Sequence, residues 1–453
     1  MSLDHALDLS RLQFAFTAIF HILWPILTIS LSLFVFILEA LWLRTGEAHY
    51  GQHARHWARL LALNFAVGVV SGIPMEFEFG TNWAPFSQFS GEFFGNILGF
   101  EGAMAFMLEA GFAGIMLYGW GRVPRGVHLF ATGMVALGSS LSAFWIMVAN
   151  SWMQTPAGVQ LSGGHLVVSD YLAAIFNPTM PNSVLHMWFA AVETGLCVVA
   201  GLSAWKMLKN EQGEFFARSF KLACVLLLVV SPVQLFLGDW SGQAVFEHQP
   251  AKGAAIEGHW ETNAPGTGAS WSLIAWPDKE QQRNTFSVEV PGALSLLATH
   301  SPTGTVKGLK EFKPEDQPPA LPLLYFAFRV MAGIGAWFVL LAAWTVWAWK
   351  RAGWRAEALM ARRWLLRAWV LTIPLPYLAV ECGWIVREVG RQPWSIYGLL
   401  RTHDAASALQ PAAVGATLWM FAGFYLLLIL TFFYFARRWL QRGADLSANP
   451  AAH

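Results

Sequence analysis

Apolar residues run along this chain in long stretches without alternation, which break off into polar connections and then resume. Nine stretches, near 15–41, 57–75, 95–119, 127–150, 185–208, 219–240, 323–349, 365–386 and 412–438, are long enough to cross a bilayer as helices, which takes about 20 apolar residues each. The first is too long and ends too polar for a cleaved leader, so it reads as a permanent span. Every second connection is basic. Arg44, Arg55 and Arg59 follow the first span, Arg122 and Arg125 the third, and Lys206, Lys209, Arg218 and Lys221 the fifth. Lys350, Arg351, Arg355, Arg362, Arg363 and Arg367 follow the seventh, and Arg437, Arg438 and Arg442 the ninth. Connections 76–94 and 151–184 contain neither Lys nor Arg. Because cytoplasmic loops collect Lys and Arg, this alternation puts the N-terminus outside and the C-terminus in the cytoplasm.

One connection departs from the short-loop pattern. Residues 241–322 are rich in Gly, Pro, Ser and Thr and fall on the outer side by the same alternation; a loop that long is functional or disordered. The chain therefore divides into 1–240 with six spans, 241–322 as an outer loop, and 323–453 with three spans and a cytoplasmic tail.

Composition fixes the class. Of 453 residues, 55% are hydrophobic and 13% charged, the profile of an all-α integral membrane protein. The 24 Trp and 34 Phe suit interfacial belts and packing around something flat and aromatic. A net charge of +1 carries no footprint of a nucleic-acid partner, and none is expected. Cys197, Cys224 and Cys382 lie inside apolar runs at no metal or disulfide spacing and read as packing residues.

Against this background the ionisable residues inside spans are the functional candidates. Span one holds His21 and Glu39, span three Glu101 and Glu109, span five His186 and Glu193; span seven begins with Arg329 and Met331, and span eight ends in Glu388. On an α-helix Glu101 and Glu109 lie about 12 Å apart along the axis and about 80° apart around it, a spacing suited to passing protons into a bundle. Histidine and methionine suggest haem iron: two opposed axial ligands make an electron-transfer centre, and one protein ligand leaves a position for oxygen. His186 with Met331 fits the first, and His21 and Glu388 each fit the second. A membrane cytochrome that only relays electrons, or a proton-coupled transporter, would also place polar groups here.

Specific motifs narrow the choice. GDWSGQAVFEHQPAKGAAIEGHW (238–260), FRVMAGIG (328–335) and ECGWIVREVGRQPW (381–394), with GIPMEFEFGTNW (72–83), resemble the large haem-bearing subunit of cytochrome bd-type quinol oxidases, on the short-loop, cyanide-insensitive-oxidase-like side of that family. The resemblance implies about nine helices bundled around haems. It implies His186 and Met331 as ligands of a low-spin haem b, and His21 and Glu388 as ligands of two high-spin haems, one a haem b and the other a haem d or a further haem b. Arg329 and Arg391 match cations beside haem propionates, and Trp384 sits one turn before Glu388. Glu101 and Glu109 match acids of the proton route, and Lys252 and Glu257 the quinol-binding residues. The function implied is quinol oxidation at the outer face of a bacterial inner membrane and reduction of O2 to water, generating proton motive force without a pump. A second membrane subunit and a small single-helix third subunit are the partners implied. On this reading Glu388 is charge-compensated by iron and nearby arginines, and Gly390 and Pro393 end its helix through their backbone restrictions.

Overall fold

The computed structural model describes residues 3–446. In chain order it contains α1 (Leu3–Thr45), α2 (Ala48–Gly80), α3 (Ala84–Phe100), a π-helical turn (Glu101–Phe106), α4 (Met107–Tyr118) and α5 (Arg125–Gln154). A hairpin of β1 (Val159–Ser162) and β2 (His165–Val168) and the short α6 (Tyr171–Ile175) lead to α7 (Met180–Leu208) and α8 (Gly213–His248). Then come α9 (Pro250–Glu257), an antiparallel hairpin of β3 (Trp271–Asp278) and β4 (Arg283–Val290), α10 (Ala293–Thr299), α11 (Leu321–Arg351), α12 (Ala356–Met360), α13 (Arg363–Thr372) and α14 (Leu375–Val389). A small pair, β5 (Trp394–Ile396) and β6 (Leu400–Arg401), precedes α15 (Thr402–Ala405) and the last helix, α16 (Pro411–Arg442).

Among the described residues, nine helical segments are long and apolar enough to cross a membrane. They outrun the apolar stretches of the sequence because their helices continue through polar ends that hydropathy does not mark. Two spans are not plain helices. The third is underwound at Glu101–Phe106, and the eighth breaks between α13 and α14 at Pro374, where a proline cannot donate to the helical ladder. The region 241–322 is ordered: α8 runs on into it, and α9, the β3–β4 hairpin and α10 fill it.

The main core is built by α1, α2, α7, α8, α11 and α13 around the buried Phe34, Trp57, Phe216, Phe220 and Trp369. Trp57 and Trp369 bury ring area while keeping their N–H satisfied: Trp57 Nε1 donates to Ser219 Oγ at 2.9 Å and Trp369 Nε1 to Thr345 Oγ1 at 2.9 Å. Helix α16 is peripheral, lying against α1 and α2. Its anchor is Tyr425, stacked on Phe20 at 4.1 Å and donating its hydroxyl to the Ser71 carbonyl at 2.9 Å.

Candidate functional site

Helix α5 organises the polar interior. Near its start His128 Nδ1 lies 2.9 Å from Glu39 Oε2 on α1, and Thr132 donates to Glu39 Oε1 at 3.0 Å. Farther along, Ser139 donates to Glu109 at 2.6 Å and Ser142 to Glu101 at 2.7 Å. The two acids thus face one helix. The cause is the π-turn between them: one residue extra in the winding replaces the expected 80° offset with about 20°, which corrects the angle read from an ideal α-helix. Gly138 allows the contact, since a Cβ there would stand 2.9 Å from Glu109 Cβ.

At its far end α5 meets α14. Asn150 Nδ2 donates to Glu388 Oε1 at 2.8 Å and Gln154 Nε2 to the same oxygen at 3.3 Å, while Arg391 pairs with Oε2. Arg387 donates to Asn150 Oδ1. Lys252, from α9, joins this group rather than the loop surface: its Nζ donates to Gln154 Oε1 at 2.6 Å and to the Arg387 carbonyl at 3.1 Å. Burial pushes the Lys252 ammonium well below the ordinary lysine range, with Arg387 lowering it further and Glu388 opposing. Gly390 has an ordinary helical φ of −67°, so its backbone freedom is not what ends the helix. A Cβ there would collide with the Val386 carbonyl oxygen and stand 2.9 Å from Lys252 Cγ, so the close approach of both requires glycine.

Glu257 lies elsewhere. It is five residues beyond Lys252 on α9, about 140° around the helix, and faces α11: Arg329 Nη2 donates to its Oε2 at 2.8 Å and Trp271 Nε1 at 3.0 Å. Arg329 also donates to the carbonyls of Ile256 at 2.8 Å and Ser272 at 2.5 Å, so it belongs to the loop-side group and not to the one around Glu388. Burial raises the Glu257 carboxyl above the usual range, with Arg329 opposing. Both Lys252 and Glu257 are buried, which excludes a solvated loop ion pair.

The histidine and methionine candidates have few partners. His21 Nδ1 sits 3.0 Å from Ser71 Oγ, and Ser71 donates its own hydroxyl to the Gly68 carbonyl at 2.8 Å. The serine oxygen therefore accepts, Nδ1 carries the proton, and Nε2 is left as a bare lone pair. His186 Nδ1 is buried with no partner, facing Gly238 of α8, whose added Cβ would lie 3.4 Å from His186 Cε1. Met331 faces α14 at Gly383, where a Cβ would be 3.0 Å from its sulfur.

The cytochrome bd terminal oxidase subunit I family model matches residues 9–444. The chain belongs to that family. It is 36% identical to the cytochrome bd ubiquinol oxidase subunit 1 of Bacillus subtilis, over 97% of this chain and 94% of that one. It is 32% identical to the cytochrome bd-II ubiquinol oxidase subunit 1 of Escherichia coli, over 96% of each. The bd oxidase structure from Geobacillus thermodenitrificans superposes with a TM-score of 0.89 at 32% identity, covering 98% of this chain and all of that one.

Cytochromes carry haem, and the bd-family residues fit one. Among the described residues, the buried polar atoms without a partner include four on α7, on α14 and just beyond it: His186 Nδ1, Trp384 Nε1, Arg387 Nη2 and Arg391 Nε. Each such group costs about 1–3 kcal/mol if left unsatisfied; imidazole, indole and guanidinium together suit an iron and its propionates. Glu381, both of whose carboxyl oxygens are also buried and unpartnered, sits two turns before Glu388. Sequence reading passed over Asn150, Gln154 and His128, the partner of Glu39. The first two are neutral, and His128 stands where a span begins and looks interfacial.

Proposed function

We propose that this chain is the quinol-oxidising, oxygen-reducing subunit of a bd-type terminal oxidase in a bacterial inner membrane, with the 241–322 face outside. The observation that carries this reading is the set of unpartnered imidazole, indole and guanidinium atoms beside a cation-paired Glu388. His186 and Met331 would hold a low-spin haem b, and His21 and Glu388 the high-spin haems, with Arg391 and Arg387 supplying positive charge and Trp384 a packing wall. Bound haem supplies one-electron relay and an iron position at which dioxygen is reduced. The chain's own residues do the rest. Glu257, a buried carboxyl with a raised affinity for protons, accepts those released by quinol, and Arg329 holds it in place. Lys252 orients the Gln154 side-chain amide and the Arg387 carbonyl between the quinol face and Glu388. Glu109 and Glu101 pass protons from the cytoplasmic side along α5, aided by Ser139 and Ser142. Proton release and uptake on opposite faces separates charge without a pump. A second membrane subunit completes the enzyme, and a small third subunit accompanies it. The chain sits on the short-loop side of the family.

An absorption spectrum of the reduced protein, with and without carbon monoxide, tests this. A carbon monoxide shift is expected, and a far-red band would assign haem d. A spectrum that does not respond would leave only a relay or a transporter.

A further inference from the structure

The β3–β4 hairpin turns an apolar face outward. Ile274 pairs in register with Val288, and Trp276 and Phe286 follow toward the tip. These four are exposed to 52%, 46%, 53% and 58% respectively, although Ala275 and Pro277, which alternate with Ile274 and Trp276, are buried. On β4 the alternate residues Thr285, Ser287 and Glu289 are polar, so the strand divides cleanly into an apolar and a polar side. Trp276 meets Phe326 of α11 at 5.7 Å. From there an exposed stripe continues down α11 through Val330, Trp337, Leu340, Trp344 and Trp347, at helical spacings of three, four and seven. The hairpin face thus extends the exposed apolar stripe of a helix long and apolar enough to cross a membrane. In water such a row on a two-stranded sheet would be an association hazard, and Trp favours the membrane interface.

We propose that this hairpin lies in the bilayer leaflet on the loop side, with Ile274, Trp276, Phe286 and Val288 among acyl chains and Ser287 and Glu289 toward water. The charged tip, Asp278 to Arg283, then reaches the head groups. Trp271 opens the same strand and donates to Glu257, so the leaflet would meet the chain beside the Glu257–Arg329 pair. That consequence rests on the quinol reading above; the seating of the hairpin does not.

The test is a nitroxide label attached in turn through Phe286→Cys and Ser287→Cys, in the complete oxidase in lipid nanodiscs, with the parent protein as background. Collisional broadening by dissolved oxygen, which partitions into lipid, is compared with that by a water-soluble nickel chelate. A label at position 286 should lose nickel broadening and keep oxygen broadening, and one at 287 should be broadened by nickel. Nickel access at 286 equal to that at 287 overturns the proposal, because the face then stands in water. Shielding of 286 from both reagents overturns it too, because a protein surface such as the second subunit then covers the hairpin. Val288→Cys repeats the measurement on the same face should Phe286→Cys not assemble.

Discussion

Gly138→Ala is the sharpest probe of the proton route proposed along α5. The new methyl would stand 2.9 Å from both Glu109 Cβ and the Glu109 backbone nitrogen, and 3.0 Å from the Ala105 carbonyl, where ordinary contact begins at 3.4 Å. Two of those three atoms are backbone and cannot rotate away. Helix α5 must therefore separate from the π-turn and α4 by about half an ångström or more, at an overpacking cost of about 1–3 kcal/mol. Ser139 is the next residue, and its 2.6 Å bond to Glu109 would stretch to about 3.1 Å or beyond, at the edge of useful hydrogen-bond geometry. Misplacing a transfer partner on this scale costs up to about 10²-fold in rate. Steady-state oxygen consumption with a short-chain quinol should fall about tenfold to a hundredfold, while haem content, the carbon monoxide spectrum and the melting midpoint of the complex change little. Ser139→Ala, which removes the donor without pushing the helices apart, should lower turnover in the same direction by less. Normal turnover in Gly138→Ala, with the complex intact, would refute a route that depends on this contact.

Met331→Leu keeps volume but removes the sulfur, at a packing cost below about 1.5 kcal/mol; the low-spin haem should turn high-spin or drop in potential, and an unchanged spectrum and midpoint would remove Met331 as a ligand. Glu388→Ala leaves Arg391 and the Asn150 amide without their carboxylate, so a high-spin haem should be depleted and oxygen reduction lost while the low-spin spectrum persists; full haem content with full turnover would return Glu388 to a structural ion pair. Glu257 carries the pH dependence. Burial raises its carboxyl above the unfolded value of about 4.3, so the folded state binds its proton more tightly, and the stability this gives is present at low pH and lost as pH rises through the folded value. The melting midpoint of the parent relative to Glu257→Gln should therefore rise as pH is lowered from neutrality, and a difference that is flat with pH would contradict the assignment.

The membrane spans were legible because hydropathy and length report the one constraint every span must meet. Departures from regular winding were not. The π-turn at Glu101–Phe106 has the same composition as its flanks, and only the choice of i→i+5 over i→i+4 bonding brings Glu101 and Glu109 to one face. Lys252 and Glu257 look adjacent in a loop. Once residues 250–257 wind into α9, they part, one toward α14 and the other toward α11. The hairpin alternation Ile274, Trp276, Phe286, Val288 is visible in the sequence, but the surrounding Gly, Pro and Ser content drew it into a single polar loop. Neutral partners such as Asn150 and Gln154 carry no charge signal. They emerge only when helix ends are seen to meet.

One helix therefore provides partners to acids from three others, and the kind of partner changes along its length. Toward the basic connections α5 meets its acids with His128, Thr132, Ser139 and Ser142. A hydroxyl or imidazole both gives and takes a hydrogen bond, so these contacts can reverse direction as a proton moves. Toward the loop side the amides of Asn150 and Gln154 share Glu388 with Arg391, and Arg387 and Lys252 stand next to them. Guanidinium groups only donate, and their charge is fixed in place, while the buried Lys252 gives its hydrogen bonds to Gln154 and the Arg387 carbonyl. A rail of reversible partners ending in a cluster of fixed cations suits one division of labour: mobile protons along the first part of α5, and compensation of buried negative charge at its end. Since α5 is continuous from Arg125 to Gln154, a displacement at Gly138 reaches the proton partners directly and the Glu388 cluster only through more than three further turns of helix. That asymmetry is why oxygen consumption should respond to Gly138→Ala before the haem spectra do.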